Sequence, residues 1–524
     1  MTPPLETLHA ALVALVGPDH VRVGAPDRTA YSRDLWPRAQ LERLTGAPPT
    51  LPDAIVWPGT PEEVVAIVRH CHATGTPIVP FGAGSGVCGG ARPVAGGIVV
   101  DLKRLKRLRH VDHEAGTIEV EAGFIGERLE RQLERRGLTL GHFPSSILCS
   151  TVGGWLAGRS AGQCSSRYGK IEDMVVDLEV VTGDGELRRT PATGALGQGL
   201  DWNQVFVGSE GTLGLITAAT LRVHAQPAHR CFRGWLMPDI AAGLAVMRDA
   251  MQAGLRPAVL RMYDPVDTVM VGSNPDARHS GPLAHLKGML TGESGTPSAA
   301  GRVLHTLKQK ALVTALANPR WLNRAIDQLP QHCLLVTVTE GTPAEAEAED
   351  AFLAEAARAA GGRDLGEAPG RSWLAHRHDV SYKQSNLYAS GAFVDTFEVA
   401  TTWAQVAHLY DAVREAVGGH VLVMAHFSHA YPGGASIYFT FAGAAASREA
   451  QLVRYDAAWR AGLDRVVAQG ATIAHHHGSG LSRRTHMDAE HGAGRQWFHA
   501  LKAVLDPAGI LNPGKLFAPV EGQS

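Results

Sequence analysis

A glycine-rich loop between two apolar segments constrains the fold of this chain more than any other feature. Five of the nine residues from Gly82 to Gly90 are glycine, and the loop separates residues 77–79 from residues 97–102, which predict a buried strand. Since glycine carries no Cβ, the backbone N–H groups of such a loop can converge into a concave nest that binds an anion. On its own the loop fits either a mobile surface loop or a phosphate cradle, and the residues that follow it favour the cradle.

Two more clusters of glycine and hydroxyl residues follow the loop. They span residues 144–154 and 208–214, and the strand-like residues 175–181 lie between them. Three such clusters in succession indicate that one extended ligand contacts a single domain at several points.

With these clusters the chain resembles the FAD-binding fold of the vanillyl-alcohol-oxidase, or PCMH-type, family, from about residue 54 to about residue 223 and again at the C-terminus. The resemblance implies an α+β fold: a two-subdomain FAD-binding domain plus a cap domain with an antiparallel sheet covered by helices. It also implies that the glycine loop holds the FAD diphosphate and that the other two clusters line the ribityl chain and the flavin. Many family members tether the flavin to a histidine in the first loop, and none is present here, so we expect non-covalent FAD. The implied cofactor contacts are Pro80, Gly82, Gly84, Ser85, Ser145, Ser146, Thr151, Gly153, Gly154, Glu210 and Ile216.

Bulk composition excludes several classes of protein. A chain of 524 residues with 45% hydrophobic content can bury a large core and should divide into at least two domains. The net charge of −2 supplies no general attraction for nucleic acid. Six cysteines without CxxC spacing favour neither a zinc ribbon nor a disulfide framework. Without an apolar run of membrane-spanning length or a basic leader, we expect a cytoplasmic protein, and leave open peripheral membrane contact and a homodimer.

We expect four segments along the chain. Residues 1–50 form an N-terminal helical segment, residues 51–225 the FAD-binding domain, residues 226–485 the substrate or cap domain, and residues 486–524 a C-terminal segment that returns to the FAD domain.

Local patterns predict an amphipathic helix Leu5–Val16, a helix from Pro61, a hairpin turn at Thr182–Gly185, strands at Leu334–Thr339 and Ser436–Phe441 in an antiparallel sheet with helices on one face, and a loop from Gly288 to Gly301.

The triplet His475, His476 and His477 is the second chemically informative feature. Imidazole titrates near neutral pH, so a histidine beside a flavin can remove or return a substrate proton. The alternative is an adventitious metal-binding surface. Adjacent residues on an extended segment point to opposite faces, so we expect at most two of the three to reach one substrate.

The triplet followed by glycine resembles the alkyldihydroxyacetonephosphate synthase branch of the family. That branch also has a tyrosine in the strand that contains Tyr438 and an arginine in the segment that contains Arg261. The resemblance implies that Tyr438 and the three histidines are catalytic and that Arg261 binds the substrate. Without it, Tyr438 would be interpreted as a core aromatic on a strand.

The chain departs from this branch at one position. Where the synthase binds its substrate phosphate with an arginine, our register places Gln384, and a neutral amide cannot replace a bidentate clamp. The neighbouring Lys383 would supply only a point charge. In the D-2-hydroxy acid dehydrogenase branch, a metal motif lies where this chain has His426 and His429. These two histidines would have a structural or substrate-binding role, or would bind a divalent ion together with a triplet histidine, although we expect no metal.

Two enzymatic functions follow from these features. The preferred one is an FAD-dependent dehydrogenase or oxidase of a small hydroxy acid or related alcohol. A triplet histidine or Tyr438 would take the hydroxyl proton, hydride would move to flavin N5, and Arg261 or Lys383 would hold the carboxylate. This function needs an electron acceptor, which the sequence does not identify. The alternative is an alkyldihydroxyacetonephosphate synthase-like transferase of ether-lipid synthesis, in which an acyl chain is exchanged for a fatty alcohol without net redox. A non-catalytic FAD-binding protein is disfavoured, because clustered polar side chains directed at a flavin are costly unless used.

Overall fold

The computed structural model describes residues 4–192, 199–271, 312–328, 331–379, 388 and 391–518. The expected loop from Gly288 to Gly301, and both Lys383 and Gln384, lie outside the described residues. In the described part of the chain, no helix has both the length and the apolarity needed to cross a membrane.

The described chain contains the following strands and helices. The strands are β1 Val21–Arg22, β2 Ala54–Val56, β3 Ile78–Phe81, β4 Ile98–Asp101, β5 Leu108–Asp112, β6 Thr117–Glu121, β7 Leu138–Thr139, β8 Val175–Val181, β9 Leu187–Arg189, β10 Leu215–Arg222, β11 His224–Ala225, β12 His229–Met237, β13 Val259–Tyr263, β14 Cys333–Gly341, β15 Arg363–Asp364, β16 Ala392–Thr402, β17 Leu422–Tyr431 and β18 Gly434–Ala444. The helices are α1 Leu5–Val16, α2 Ala25–Ala30, α3 Pro37–Leu44, α4 Pro61–Thr74, α5 Gly126–Glu134, α6 Val152–Ala157, α7 Ser165–Tyr168, α8 Ile171–Met174, α9 Asn203–Phe206, α10 Ile240–Gln252, α11 Pro265–Val271, α12 Pro319–Ile326, α13 Pro343–Ala359, α14 Ala368–His376, α15 Val406–Gly418, α16 Arg448–Ala468, α17 Met487–His491 and α18 Gly494–Leu505.

The chain divides into two compact units. The first comprises residues 1–162, 169–226 and 476–524, and the second residues 163–168 and 227–475. The first unit contains a four-stranded sheet of order β1-β2-β4-β3 and a five-stranded sheet of order β5-β6-β10-β8-β9, and β7 pairs with β11. The second contains a seven-stranded sheet of order β15-β12-β14-β13-β17-β18-β16.

Local sequence signals account for the first elements of the first unit. Helix α4 begins where the Thr60 side chain accepts a hydrogen bond from the Glu63 N–H, and it ends at Gly75 with a left-handed φ of 63°. Its apolar stripe packs into the core beneath the four-stranded sheet. The helices predicted at Leu5–Val16 and from Pro61 are confirmed, as is the hairpin, whose turn joins β8 to β9.

The C-terminal tail belongs to the first unit. After α18, the Ile78 N–H donates to the Ile510 carbonyl at 2.8 Å, and the Asn512 N–H donates to the Ile78 carbonyl at 2.7 Å. The Asp506 carboxylate accepts from the N–H groups of Ile510 and Leu511. These bonds fix the tail beside β3, the strand that leads into the glycine loop.

The sheet of the second unit is antiparallel throughout and has two chemically different faces. On one face Phe397, Phe439 and Phe441 pack against each other and against Trp459 of α16. Each buried aromatic side chain contributes about 2–3 kcal/mol of hydrophobic free energy, so this face is the core. The residues between them in sequence point to the other face.

The expectation that helices cover only one face of this sheet is wrong at one edge. Helix α13 lies over Arg233 of β12, whose guanidinium binds the Asp350 carboxylate. Helix α14 lies on the opposite face of β12, where Pro369 approaches Gly234 so closely that a Cβ there would be 2.4 Å from the proline ring. The missing side chain at Gly234 therefore makes room for a helix on the second face.

Candidate active site

The glycine loop of the first unit is a cradle lined by backbone N–H groups. Within the described residues, the N–H groups of residues 83–87 donate no hydrogen bond. Unpaired backbone donors are costly unless water or a ligand satisfies them. A Cβ on Gly82 would lie 2.4 Å from the Thr151 Oγ1, and one on Gly84, where φ is +63°, would lie 2.5 Å from the Phe81 ring. These features fit the diphosphate of a dinucleotide such as FAD.

The second and third clusters pack against this loop within the same unit. Thr151 caps helix α6 by accepting from the Gly154 N–H at 3.3 Å, and a Cβ on Gly153 would lie 2.7 Å from the Ala122 Cβ. A Cβ on Gly211 would lie 2.6 Å from the Pro80 ring. The structure thus brings the three clusters together. The other expected cofactor contacts are Ser85, half-buried in the loop, Ser145, exposed, Ser146, half-buried, and Ile216, buried on β10.

Glu210 occupies a structural position in the first unit. It has a left-handed φ of 51°, and its buried carboxylate accepts hydrogen bonds from the N–H groups of Ser479 and Gly480. Burial raises the pKa of this carboxyl group. The Asn512 amide donates to the Glu210 carbonyl at 2.7 Å. The Glu210 side chain therefore holds the turn that follows the histidine triplet.

The alternation expected for the histidine triplet is wrong. The segment forms bends rather than a strand, and the rings of His476 and His477 contact each other with centroids 4.4 Å apart. These two residues belong to the first unit, whereas His475 belongs to the second. The His475 N–H donates to Glu398 at 3.2 Å, and its ring lies 5.2 Å from that of His429.

A row of titratable side chains crosses the polar face of the second unit's sheet. The pairing register places Tyr263 opposite His426, His426 opposite Tyr438, and Tyr438 opposite Glu398. Side chains of directly paired residues lie on the same face. The imidazole of His426 stacks on the Tyr438 ring, with centroids 4.6 Å apart and an interplanar angle of 18°. Tyr438 therefore lies on the polar face, with its neighbours Ile437 and Phe439 buried on the other.

Burial raises the pKa values of acidic groups in and beside this row. The Tyr438 hydroxyl shares a 2.9 Å hydrogen bond with Thr396 Oγ1, and desolvation raises the pKa of the phenol well above its usual value. The Asp267 carboxylate lies 3.5 Å from His426 Nδ1. Burial and the nearby Asp264 raise the pKa of Asp267 to about 7. Tyr438 thus holds its proton at neutral pH and can donate it to a hydrogen-bond acceptor.

Arg261 and His429 lie on the same side of this row, near Ser428. The Arg261 guanidinium lies 5.0 Å from the centre of the Tyr263 ring. Its positive charge opposes the rise in the pKa of Asp267. His429 lies at a register shift of β17 with φ of +50°, and its Nδ1 is 2.7 Å from the Ser165 Oγ. The bulge gives His429 different neighbours from His426. In the described ranges, no group of three or more His, Cys, Asp or Glu side chains is arranged to hold a metal ion.

Several residues of the polar face were missed by sequence reasoning. They are Ser165, Tyr263, Asp267, Thr396 and Glu398. Lys383 lies outside the described residues, so its expected role stays a prediction. One usable signal was present: polar residues recur at every second position of β17 and β18, at His426 and Ser428 and at Ser436 and Tyr438. The remaining residues lie on other strands and helices, and only strand pairing reveals their proximity.

Comparisons with known proteins match two family models to successive parts of the chain. Residues 52–191 match a family model described as an FAD binding domain, and residues 226–516 match the C-terminal domain of FAD linked oxidases. The chain is 30% identical to the alkyldihydroxyacetonephosphate synthase of Trypanosoma brucei brucei, over 95% of this chain and 78% of that protein. It is 26% identical to the glycolate oxidase subunit GlcD of Bacillus subtilis (strain 168), over 97% of this chain and 96% of that one. A solved alkyldihydroxyacetonephosphate synthase superposes with a TM-score of 0.75 at 26% identity, over 98% of this chain and 85% of the other.

The glycine cradle supports the cofactor, and the family matches support the class of enzyme. Backbone donors without partners fit FAD, and members of the matched families are enzymes. The chain therefore belongs to the FAD-linked oxidase family of PCMH-type flavoenzymes, with FAD as its cofactor.

Proposed function

We propose that this enzyme is a flavin-dependent transferase that acts as alkyldihydroxyacetonephosphate synthases do. It would exchange the acyl chain of an acyl-dihydroxyacetone phosphate for a fatty alcohol. The bond between the headgroup carbon and the acyl oxygen breaks and releases a fatty acid, and the alcohol oxygen forms an ether bond with loss of its proton. No net oxidation occurs. The observation that carries the proposal is the 30% identity to a synthase along 95% of the chain.

The polar face supports this proposal, because it offers the groups that such an exchange needs. The Tyr438 hydroxyl holds a proton that can be given to, or shared with, an oxygen of the headgroup. His426, between Tyr438 and the Asp267 carboxyl group, has an acid partner at Nδ1 that orients its ring. Arg261 supplies a positive charge for an anionic substrate. When bound, FAD supplies the reactive isoalloxazine ring, which can accept hydride or bond to a substrate carbon.

Oxidation of a small hydroxy acid is the second candidate. It is favoured by Gln384, which stands where the synthase branch has an arginine for phosphate. A carboxylate substrate needs less positive charge than a phosphate monoester, so the loss of one arginine is better tolerated. The main interpretation from the sequence is therefore supported at the level of the family, whereas its transferase alternative has the stronger support from the relatives.

The two candidates are separated by one experiment on FAD-loaded protein. In one arm, the enzyme is incubated with an acyl-dihydroxyacetone phosphate and hexadecanol, and the ether product and released fatty acid are quantified by mass spectrometry. In the other, a panel of D-2-hydroxy acids is mixed anaerobically and the flavin absorbance is followed. We expect equal amounts of ether and fatty acid in the first arm and no bleaching in the second. Bleaching by a hydroxy acid without ether formation would replace the proposal by the second candidate.

A further inference from the structure

We propose that Arg261, Ser428 and Ser436 form an oxyanion-binding subsite on the polar face of the second unit's sheet. The subsite would hold the anionic group of the substrate beside Tyr438 and His426. This inference rests on the proposed function only for the identity of the substrate. Its structural basis lies within a single sheet.

The pairing register places these three residues in one row. Ser428 of β17 is directly opposite Ser436 of β18. On the other side of β17, Met262 pairs with Phe427 and Tyr263 with His426, so the same register continued by one residue brings Arg261 beside Ser428. Each member lies two residues from a member of the Tyr263, His426 and Tyr438 row. Residues two apart on a strand share a face, so the two rows lie side by side.

All three side chains have polar atoms without partners. The Ser428 Oγ, the Ser436 Oγ and the Arg261 Nε are shielded from solvent and make no hydrogen bond within the described residues. The two serines are 7% and 0% exposed. Buried polar groups in native proteins are nearly always hydrogen-bonded, and an unpaired one destabilises the fold. Two hydroxyl donors beside a guanidinium are the groups that bind a phosphate or a carboxylate, so a bound oxyanion would satisfy all three.

The same sheet contains another residue with a buried hydroxyl that makes no hydrogen bond, and this residue can serve as a control. Thr337 of β14 is 1% exposed, and its Oγ1 also lacks a partner. It pairs with Arg233 and Leu260, and therefore lies on the opposite face, beneath the helices. Its hydroxyl has no route to a substrate on the polar face. Thr337→Val is therefore the control for the loss of a buried, unpaired hydroxyl.

The subsite would offer an oxyanion one positive charge from Arg261 and two neutral hydroxyl donors. Gln384 contributes no charge, so Arg261 and the serine pair would hold the oxyanion. A phosphate monoester and a carboxylate share this chemistry. Comparing the affinities of a phosphate monoester and a carboxylate shows which of them the subsite prefers.

The test measures binding rather than turnover. FAD-loaded wild type, Ser428→Ala, Ser436→Ala, the double variant and Thr337→Val are titrated by calorimetry with dihydroxyacetone phosphate, glycolate and uncharged dihydroxyacetone. We expect each serine variant to weaken binding of the preferred anion roughly 3- to 10-fold, as expected for loss of one hydrogen bond. Thr337→Val should bind it as wild type does. We also expect the unliganded serine variants to melt no lower than wild type, because each substitution removes an unpaired polar group.

The outcomes are decisive in both directions. Unchanged affinity in the double variant, or a wild type that binds dihydroxyacetone as tightly as either anion or binds neither anion, overturns the subsite. Serine-dependent anion binding by an enzyme that makes no ether would leave the subsite intact and refute only the transferase proposal. Ether formation with serine-independent binding would do the reverse.

Discussion

The carboxylate of Glu210 accepts the backbone N–H of Gly480 at 2.9 Å, joining two segments of the first unit that are far apart in sequence. Ser479 donates to the same carboxylate, and Asn512 donates to the Glu210 carbonyl. One residue therefore ties the third glycine cluster to both the turn after the histidine triplet and the C-terminal tail. Its left-handed backbone is tolerated because these bonds outweigh the local strain.

Glu210→Ala should destabilise the first unit. The substitution leaves the N–H groups of Ser479 and Gly480 buried without an acceptor, which costs about 2–4 kcal/mol. We expect a lower melting temperature and a reduced ratio of flavin to protein after purification. Glu6→Ala, which removes an exposed carboxylate, is the control. A variant that retained wild-type melting and flavin content would show that this carboxylate does not hold the turn.

Gly82→Ala should abolish or strongly reduce FAD binding. The added Cβ would lie 2.4 Å from the Thr151 Oγ1, so the loop would have to move and its N–H groups would no longer converge. The measurement is the flavin absorbance of the purified protein and its recovery on addition of FAD. Gly433→Ala, at a position with nothing within 4 Å, should leave flavin content unchanged. Full flavin occupancy in Gly82→Ala would refute the cradle.

Tyr438→Phe should lower kcat about 100-fold for whichever reaction the enzyme performs. The substitution removes only the hydroxyl that Thr396 orients and keeps the ring that stacks on His426. Flavin content and melting temperature should therefore stay close to wild type. Thr440→Val removes a hydroxyl from the same face of β18, directly opposite Thr396, but keeps that of Tyr438, so its kcat should stay close to wild type. Wild-type kcat in Tyr438→Phe would exclude the phenol from the chemistry.

Asp34→Asn should flatten the dependence of stability on pH. Burial raises the pKa of the Asp34 carboxyl group to about 6, above the value of about 4 expected in an unfolded chain. Its contribution to stability is therefore fully present below about pH 4 and is lost as the pH rises through 6. We expect the wild type to lose about 2–3 kcal/mol across this window from this group, and the Asp34→Asn variant to lose less. Thermal melting at pH 4.5 and pH 7.5, with the exposed Asp19→Asn as control, measures the difference.

Features that depend on neighbouring residues were predictable from the sequence. The helices at Leu5–Val16 and from Pro61 and the β8–β9 hairpin follow from local periodicity, capping and turn residues. The glycine loop was also predictable, because its glycines are close together in the sequence. Family resemblance added FAD and the candidate roles of Tyr438 and the histidines.

Features that depend on strand register were not predictable. The pairing of Tyr263 with His426, the bulge at His429 and the row of Arg261, Ser428 and Ser436 all join residues from separate strands. The expectation that adjacent triplet histidines point to opposite faces holds only for an extended chain. The triplet forms bends instead, and these bring His476 against His477.

The sequence by itself determined where a dinucleotide can be held, since a run of glycines exposes its own backbone donors regardless of what packs around it. Only the tertiary structure decided which polar side chains share a face and which of their atoms lack partners. The physical reason is that hydrogen bonds and side-chain contacts across a sheet are set by the register between distant strands, and a shift of one residue would turn each of these side chains to the opposite face.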